Sequence, residues 1–273
     1  MKSNKLKIGR IPYANLFPIF HYLEKDCNSA GYKFVKGVPS KLNKMLRDGE
    51  LDISASSSIE FLMNKDKYRI LPWSSISSEG TIRSILLFSK FPIHELNRKE
   101  IALSSESETS IVLLKIILRE FLSLQCKFTS VNHRSISTTL SSFSAVLHIG
   151  DTAMREAKKV EAGAGNGSIH IYDLGELWDE YAGCPFVFAL WIARKESVEH
   201  KKELFSRLSS DLINAKKYIC KQFPLIARHA PQKEWLSEKE LVDYWKMISY
   251  DFTEKHLEGL RLFEKYAKEH RIY

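Results

Sequence analysis

The chain has 273 residues, of which 44% are hydrophobic and 27% are charged, and its formal net charge is +8. This length is sufficient for one large domain or two lobes with a hydrophobic core. No apolar run approaches the roughly 18 residues that a membrane helix requires, so we expect no membrane partner. The basic residues alternate with acidic ones, as in KKELFSR and EKHLEGLRLFEKYAKEH, which indicates solvated helix faces and disfavours a nucleic-acid partner.

The start of the chain and the cysteines indicate the compartment. Arg10, Pro12 and Asn15 interrupt any signal-peptide core, so a cytoplasmic protein is expected. The four cysteines lie far apart and form no CxxC motif, which predicts free thiols. The nine histidines form no HExxH or other ligand spacing, so the sequence predicts no metal.

The first part of the chain alternates strands and helices. Strands are predicted at residues 5–11, 31–36, 51–55 and 68–71. Helices are predicted at 16–24 and 39–50, and a third follows residue 58. Pro18 suits the first turn of the first helix, and the serines at 56–58 would cap the third. This βαβαβαβ order predicts a mostly parallel sheet covered by helices on both faces.

A polar stretch at 74–80, SSISSEG, interrupts this order and precedes a strand at 82–89. A second βαβ series begins at Ile101, a very apolar strand follows at 186–193, and only helices are predicted beyond 197. We therefore predict two α/β lobes with mixed, mostly parallel sheets. Residues 1–89 and 186–273 would form the first lobe and residues 90–185 the second, with crossovers near 87–89 and 186–187. Ligands in such proteins bind at the carboxyl ends of strands, so the cleft between the lobes is the expected site.

The turns expected at this cleft are neutral and rich in hydroxyl groups. The hydroxyls of Ser107, Thr109 and Ser110 precede a helix, where free N–H groups favour an anion, although simple N-capping is the alternative. Local rules favour Asn15 as the cap of the next helix, and Ser84 could be a buried strand residue. A lone His148 in an apolar strand is more often a core residue than a base. Composition therefore leaves two alternatives, a binding protein or an enzyme whose substrate does much of the chemistry.

Seven segments together carry a family resemblance, in order and with regular spacing. They are RIPYANLFP (10–18), GVPSKLNKMLRDGELDIS (37–54), SSIEF (57–61), SISSEGTIRSILLFSK (75–90), SETSIVLLKIIL (107–118), LHIGDTAM (147–154) and DLGELWDEYAGCPFVFALWIAR (173–194). In these segments the chain resembles the chorismate dehydratase family of the futalosine route to menaquinone. The C-terminal helices resemble that family only in type.

The resemblance implies a two-lobed periplasmic-binding-protein-like fold of type 2 and a lyase reaction without a cofactor. Chorismate, the small-molecule substrate, would lose water to give 3-[(1-carboxyvinyl)oxy]benzoate, with the substrate's own enolpyruvyl carboxylate as the base. The resemblance places the catalytic residues at Asn15 and Ser84. It places a carboxylate-binding turn at Ser107, Thr109 and Ser110. Three further residues, Ser56, Ser57 and Asp151, are expected to contact the substrate because of their positions at strand ends.

Three residues depart from the family pattern: Ala14, Arg83 and Cys184. Arg83 is expected in a strand, where it would face away from Ser84. Two other functions stay open, a non-catalytic small-anion binding protein and 1,4-dihydroxy-6-naphthoate synthase, which has the same fold. The second would require a catalytic histidine, and none lies in a comparable turn. The sequence does not indicate the oligomeric state.

Overall fold

The computed structural model describes residues 5–104, 108–132, 135–163 and 168–272, and the chain divides into two compact units. The first unit comprises the described residues of the ranges 1–77 and 187–257. The second comprises those of the ranges 78–186 and 258–273. Each unit is built around its own five-stranded sheet.

The sheet of the first unit has the strand order β2-β1-β3-β10-β4. Its strands are β1 (Leu6–Arg10), β2 (Tyr32–Lys36), β3 (Ile53–Ser57), β4 (Tyr68–Ser78) and β10 (Phe186–Arg194). β1 pairs in parallel with β2 and β3, whereas β10 runs antiparallel to β3. The sheet is therefore mixed, as predicted, because the chain returns to it through β10 after completing the second sheet.

Helices of the first unit follow the strands in the predicted alternation and then form the C-terminal part. They are α1 (Phe17–Lys25), α2 (Pro39–Arg47), α3 (Ser58–Met63), α8 (Lys195–His200), α9 (Lys202–Ala227) and α10 (Glu238–Met247). Pro18 lies in the first turn of α1, as predicted, where its missing N–H has no intrahelical partner to lose. A capping box of Ser237 and Glu240 begins α10. The last helix, α11 (Glu254–Glu269), begins in the first unit and ends in the second.

The sheet of the second unit has the order β7-β6-β8-β5-β9. Its strands are β5 (Ile85–Ser89), β6 (Glu100–Ser104), β7 (Lys127–Val131), β8 (Ala145–Ile149) and β9 (His170–Asp173). β6 is parallel to both β7 and β8, and β5 is antiparallel to β8 and β9. The helices of this unit are α4 (Glu108–Ile116), α5 (Ile136–Leu140), α6 (Gly150–Glu161) and α7 (Leu174–Ala182).

The structure corrects the predicted connection at 74–80. Ser74 to Ser78 continue β4 and are buried, although serine disfavours strands on average. Backbone pairing explains this, because the N–H of Ser77 donates to the carbonyl of Ser249 at 2.9 Å, and Ser249 N–H returns the bond at 2.9 Å. Hydroxyl pairing adds to it, since the Ser75 and Ser77 Oγ atoms lie 2.6 Å apart. A partner so distant in sequence leaves no local signal.

The units also differ from the predicted lobes at two boundaries. Residues 85–89 were expected in the first lobe, yet β5 is paired on both sides within the second sheet. Residues from 258 onward were likewise expected in the first lobe and group with the second unit. The physical reason there is aromatic packing, because Phe263 of α11 contacts Phe186 and Trp178 with ring centroids 5.0 and 6.4 Å apart.

Candidate functional site

In the first unit, two predicted turns lie at one edge of the sheet. β1 and β3 are parallel neighbours with Gly9 opposite Ser54, so both strands reach their carboxyl ends at the same edge. The turn after β1 carries Asn15, and β3 ends at Ser57. The structure thus places Asn15, Ser56 and Ser57 on the edge where α/β sheets bind ligands.

Asn15 is not a helix cap. The N-cap positions are held by Tyr13, before the short 3-10 turn Ala14–Leu16, and by Leu16, before α1. The carboxamide Oδ1 of Asn15 is buried, and no described residue gives it a hydrogen bond. A buried oxygen without a partner costs roughly 1–3 kcal/mol. The capping alternative is therefore wrong, and the orphaned oxygen marks Asn15 as a ligand-binding candidate.

The two serines at the end of β3 have different surroundings. The Ser57 hydroxyl accepts a hydrogen bond from Asn43 Nδ2 at 3.0 Å, so it does not cap α3, although Ser57 holds that N-cap position. Ser56 Oγ is buried, and within the described part of the chain it has no hydrogen-bond partner. The Ser57 hydroxyl keeps its O–H to donate, whereas Ser56 Oγ has both its donor and its acceptor capacity unused among the described residues.

In the second unit, three chain segments meet at one edge of the sheet. β6 and β8 are parallel, with Leu103 opposite Leu147, and β5 begins beside the end of β8, with Ile85 opposite Ile149. Ser84 precedes β5, and its carbonyl accepts a hydrogen bond of 2.7 Å from the N–H of Gly150, the first residue of α6. Ser84 therefore lies beside the start of α6, and both lie at the edge where β6 leads toward α4.

The strand expected from residue 82 begins only at Ile85. Arg83 is left-handed, with a φ of 59°, so the strand in which it was expected does not include it. The cause is Asp173, whose Oδ2 accepts the N–H groups of Ile82 and Arg83 at 3.0 and 2.5 Å. A side-chain carboxylate thus accepts the backbone N–H groups that a neighbouring strand would otherwise bind, and the chain turns immediately before Ser84.

Asp173 binds four backbone N–H groups in all. Its Oδ1 caps α7 by accepting from Gly175 and Glu176 at 2.8 and 3.3 Å. Burial raises the pKa of this carboxyl, and the four N–H groups lower it only part of the way back. Sequence analysis missed this residue, although an aspartate between a strand and a helix is an N-cap signal.

The remaining candidates lie at the starts of α4 and α6. Thr109 and Ser110 are buried in the first turn of α4, and Ser107 lies outside the described residues. Asp151 is partly buried in the first turn of α6. A carboxylate at that position suits a hydroxyl donor on a ligand better than an anion.

Other titratable groups have structural roles. His148 is buried in β8 and packs edge-on against Phe88 with centroids 6.1 Å apart, in agreement with a core histidine. Within the described ranges, no three His, Cys, Asp or Glu side chains are grouped to hold a metal ion. No helix in the described part of the chain is long and apolar enough to span a membrane.

Solved structures of the same fold define the class of protein. A protein of Archaeoglobus fulgidus matches with a TM-score of 0.79 at 18% identity and covers all of both chains. The alkanesulfonate-binding protein SsuA of Xanthomonas axonopodis pv. citri, bound to MOPS, matches with a TM-score of 0.70 at 13% identity, over 99% of this chain and 94% of that one. The chain therefore has the two-lobed, periplasmic-binding-protein-like α/β fold.

The family follows from the sequence comparisons. The family model described as menaquinone biosynthesis matches residues 6–269, and the chain belongs to this family. A chorismate dehydratase of Thermus thermophilus is 32% identical over 199 residues, which is 70% of each chain. A chorismate dehydratase of Campylobacter jejuni is 28% identical over 265 residues, or 95% of this chain and 96% of that one.

Proposed function

We propose that this protein is a chorismate dehydratase, a hydro-lyase that converts chorismate into 3-[(1-carboxyvinyl)oxy]benzoate and water. The family membership and the two named relatives support this function. The structural observation that carries it is the buried, unpartnered Oδ1 of Asn15 at the ligand-binding edge of the first sheet. A substrate hydroxyl would supply the missing donor.

The reaction breaks two bonds of the cyclohexadiene ring. The C3–H bond gives its electron pair to the ring and its proton to a base. The C4–O electron pair leaves with the hydroxide, which takes up one proton, so that one water departs and the ring becomes aromatic. Aromatisation provides the driving force, and the enolpyruvyl carboxylate of the substrate can take the proton. The protein then has to hold one conformer and stabilise charge as it moves, which needs hydrogen-bond donors and acceptors more than a strong base.

The candidate residues suit these tasks. Asn15 would orient the substrate's ring hydroxyl by accepting its O–H at Oδ1, which holds the reacting conformer, and Ser84 would act on the same reaction from a turn fixed by Asp173. Thr109 and Ser110 would hold a carboxylate at the start of α4, with Ser107 preceding them. Ser56, Ser57 and Asp151 would contact the remaining hydroxyl and carboxylate oxygens.

The test is an ultraviolet assay of the purified protein with chorismate, followed by chromatography of the aromatic product. Removing a group that acts mainly in the transition state costs about 10²–10³ in kcat, and we expect losses of this size for Asn15→Ala and Ser84→Ala. Because residues that act together are non-additive, the double variant should lose little more than the weaker single variant. A wild-type protein that forms no aromatic product would refute the proposal.

Matched variants separate catalysis from folding. Asn64→Ala removes hydrogen bonds to Glu60 in the first unit. Ser89→Ala removes a buried hydroxyl bonded to the Phe91 carbonyl at 2.7 Å, at the other end of β5 from Ser84. Both should keep wild-type turnover. If chorismate raises the melting temperature but is recovered unchanged, the protein is a small-anion binding protein instead.

A further inference from the structure

Two side chains from the C-terminal part of the first unit bind the backbone on either side of Asn15. The indole N–H of Trp245 in α10 donates to the carbonyl of Ala14 at 2.8 Å. The hydroxyl of Tyr250 donates to the carbonyl of Asn15 at 2.7 Å. Both side chains are almost fully buried, with 0% and 4% of their surface exposed.

These two bonds determine the direction of the Asn15 side chain. The Ala14 carbonyl belongs to the peptide plane before the Asn15 Cα, and the Asn15 carbonyl belongs to the plane after it. Holding both planes fixes φ and ψ of Asn15 and therefore the direction of its Cα–Cβ bond. No described residue bonds the carboxamide oxygen itself. The side chain is therefore oriented by the fixed backbone and not by a hydrogen bond to its own oxygen.

Both donors are themselves held in place. The Trp245 ring stacks on Phe17 of α1 with centroids 6.3 Å apart, and Phe223 of α9 packs on it at 5.5 Å. The carbonyl of Tyr250 accepts the N–H of Ser75 in β4 at 3.3 Å, next to the bridge between Ser77 and Ser249. The hydrogen bonds to the Asn15 turn are therefore anchored to the sheet and to two helices.

We propose that Trp245 and Tyr250 are positioning residues, which hold the Asn15 carboxamide in its reactive orientation without touching the substrate. This inference rests on the proposed catalytic role of Asn15. It also gives a function to the C-terminal helices, which the family resemblance left without one. A misplacement of about 1 Å can cost about 100-fold in rate, so loss of either bond should affect turnover far more than substrate binding.

The test compares Tyr250→Phe and Trp245→Phe with two variants that lose the same kind of buried bond elsewhere. Tyr68→Phe loses a bond of 2.7 Å to Glu60, and Trp178→Phe loses one of 3.0 Å to the Cys184 carbonyl. All four variants should lower the melting temperature. Only the first two should lower kcat, by about 10–100-fold with little change in KM.

The decisive measurement combines each positioning variant with Asn15→Ala. If Tyr250 acts through Asn15, adding Tyr250→Phe to Asn15→Ala lowers kcat no further. Equal effects of Tyr250→Phe in both backgrounds, or a kcat unchanged by Tyr250→Phe, would overturn the inference. Should Trp245→Phe fail to fold, the tyrosine comparison still decides. An inactive wild type refutes the proposed function, whereas an active wild type with an Asn15→Ala variant of reduced but measurable kcat tests the positioning role alone.

Discussion

Asp173→Asn is the substitution that best separates an ordinary helix cap from the arrangement seen here. Asparagine caps helices about as well as aspartate, so a residue that only capped α7 would tolerate the change within about 0.5 kcal/mol. Asp173, however, uses its second oxygen to bind the N–H groups of Ile82 and Arg83. In the variant an amide NH₂ would face those two donors.

The expected magnitude follows from the bonds that are lost. Hydrogen bonds to a charged group contribute about 1.5–3 kcal/mol each, and two of the four bonds to Asp173 cannot form with asparagine. Removing a charge whose burial is unfavourable offsets part of this loss. We expect the free energy of unfolding to fall by about 2–3 kcal/mol. We also expect kcat to fall, because Arg83 in its left-handed conformation leads directly into Ser84.

Urea denaturation followed by circular dichroism measures the stability change, and the chorismate assay measures the change in kcat. Ser135→Ala is the control, because Ser135 caps α5 by accepting from Thr138 N–H at 3.3 Å, and its other hydroxyl contacts, with Ser137 and Thr138, stay within the same turn. It should cost about 1 kcal/mol and leave kcat unchanged. If Asp173→Asn is as stable and as active as the wild type, the second oxygen does not hold the Ser84 turn and the argument fails.

Two further substitutions test packing and charge. In Gly259→Ala, a methyl group would overlap the carbonyl oxygen of Pro185. We therefore expect thermal melts to show a free energy of unfolding lower by about 2 kcal/mol. At an open helix position the same substitution would raise it by about 1 kcal/mol. Burial opposes ionisation of Glu156, but a backbone N–H bond, Lys159 and His148 together bring its pKa below the ordinary 4.5. A carboxylate whose pKa is lower in the folded than in the unfolded state stabilises the fold above the unfolded-state pKa. Glu156→Gln should therefore lower the free energy of unfolding by about 1 kcal/mol at pH 7. This loss should vanish as pH falls through the folded-state pKa. A cost independent of pH would contradict this.

The sequence predicted the alternation of strands and helices well where each element carries its own signal. The strand predicted at 51–55 overlaps β3 at Ile53–Ser57, and the apolar run AVLHI at 145–149 forms β8. Pro18 in the first turn of α1 marked the start of that helix correctly. These features depend on local backbone sterics and burial, which neighbouring residues determine.

The candidate site shows where sequence reasoning stopped. Asn15 and Ser84 are proposed as catalytic because of a family resemblance, since local rules favoured a cap for one and a strand position for the other. The structure removes both local explanations. Asn15 Oδ1 has no described partner, and Ser84 precedes its strand in a turn held by a carboxylate about ninety residues away in the chain.

By itself, the sequence determined the element order, the mixed α/β character and the hydroxyl-rich turns at strand ends. Only the tertiary structure decided that Ser74 to Ser78 form a buried strand and that β5 belongs to the second sheet. It alone brought Trp245 and Tyr250, more than 200 residues away, onto the Asn15 turn. The physical reason is common to all three cases. Each depends on hydrogen bonds between segments distant in the chain, and neither residue type nor periodicity encodes the partner.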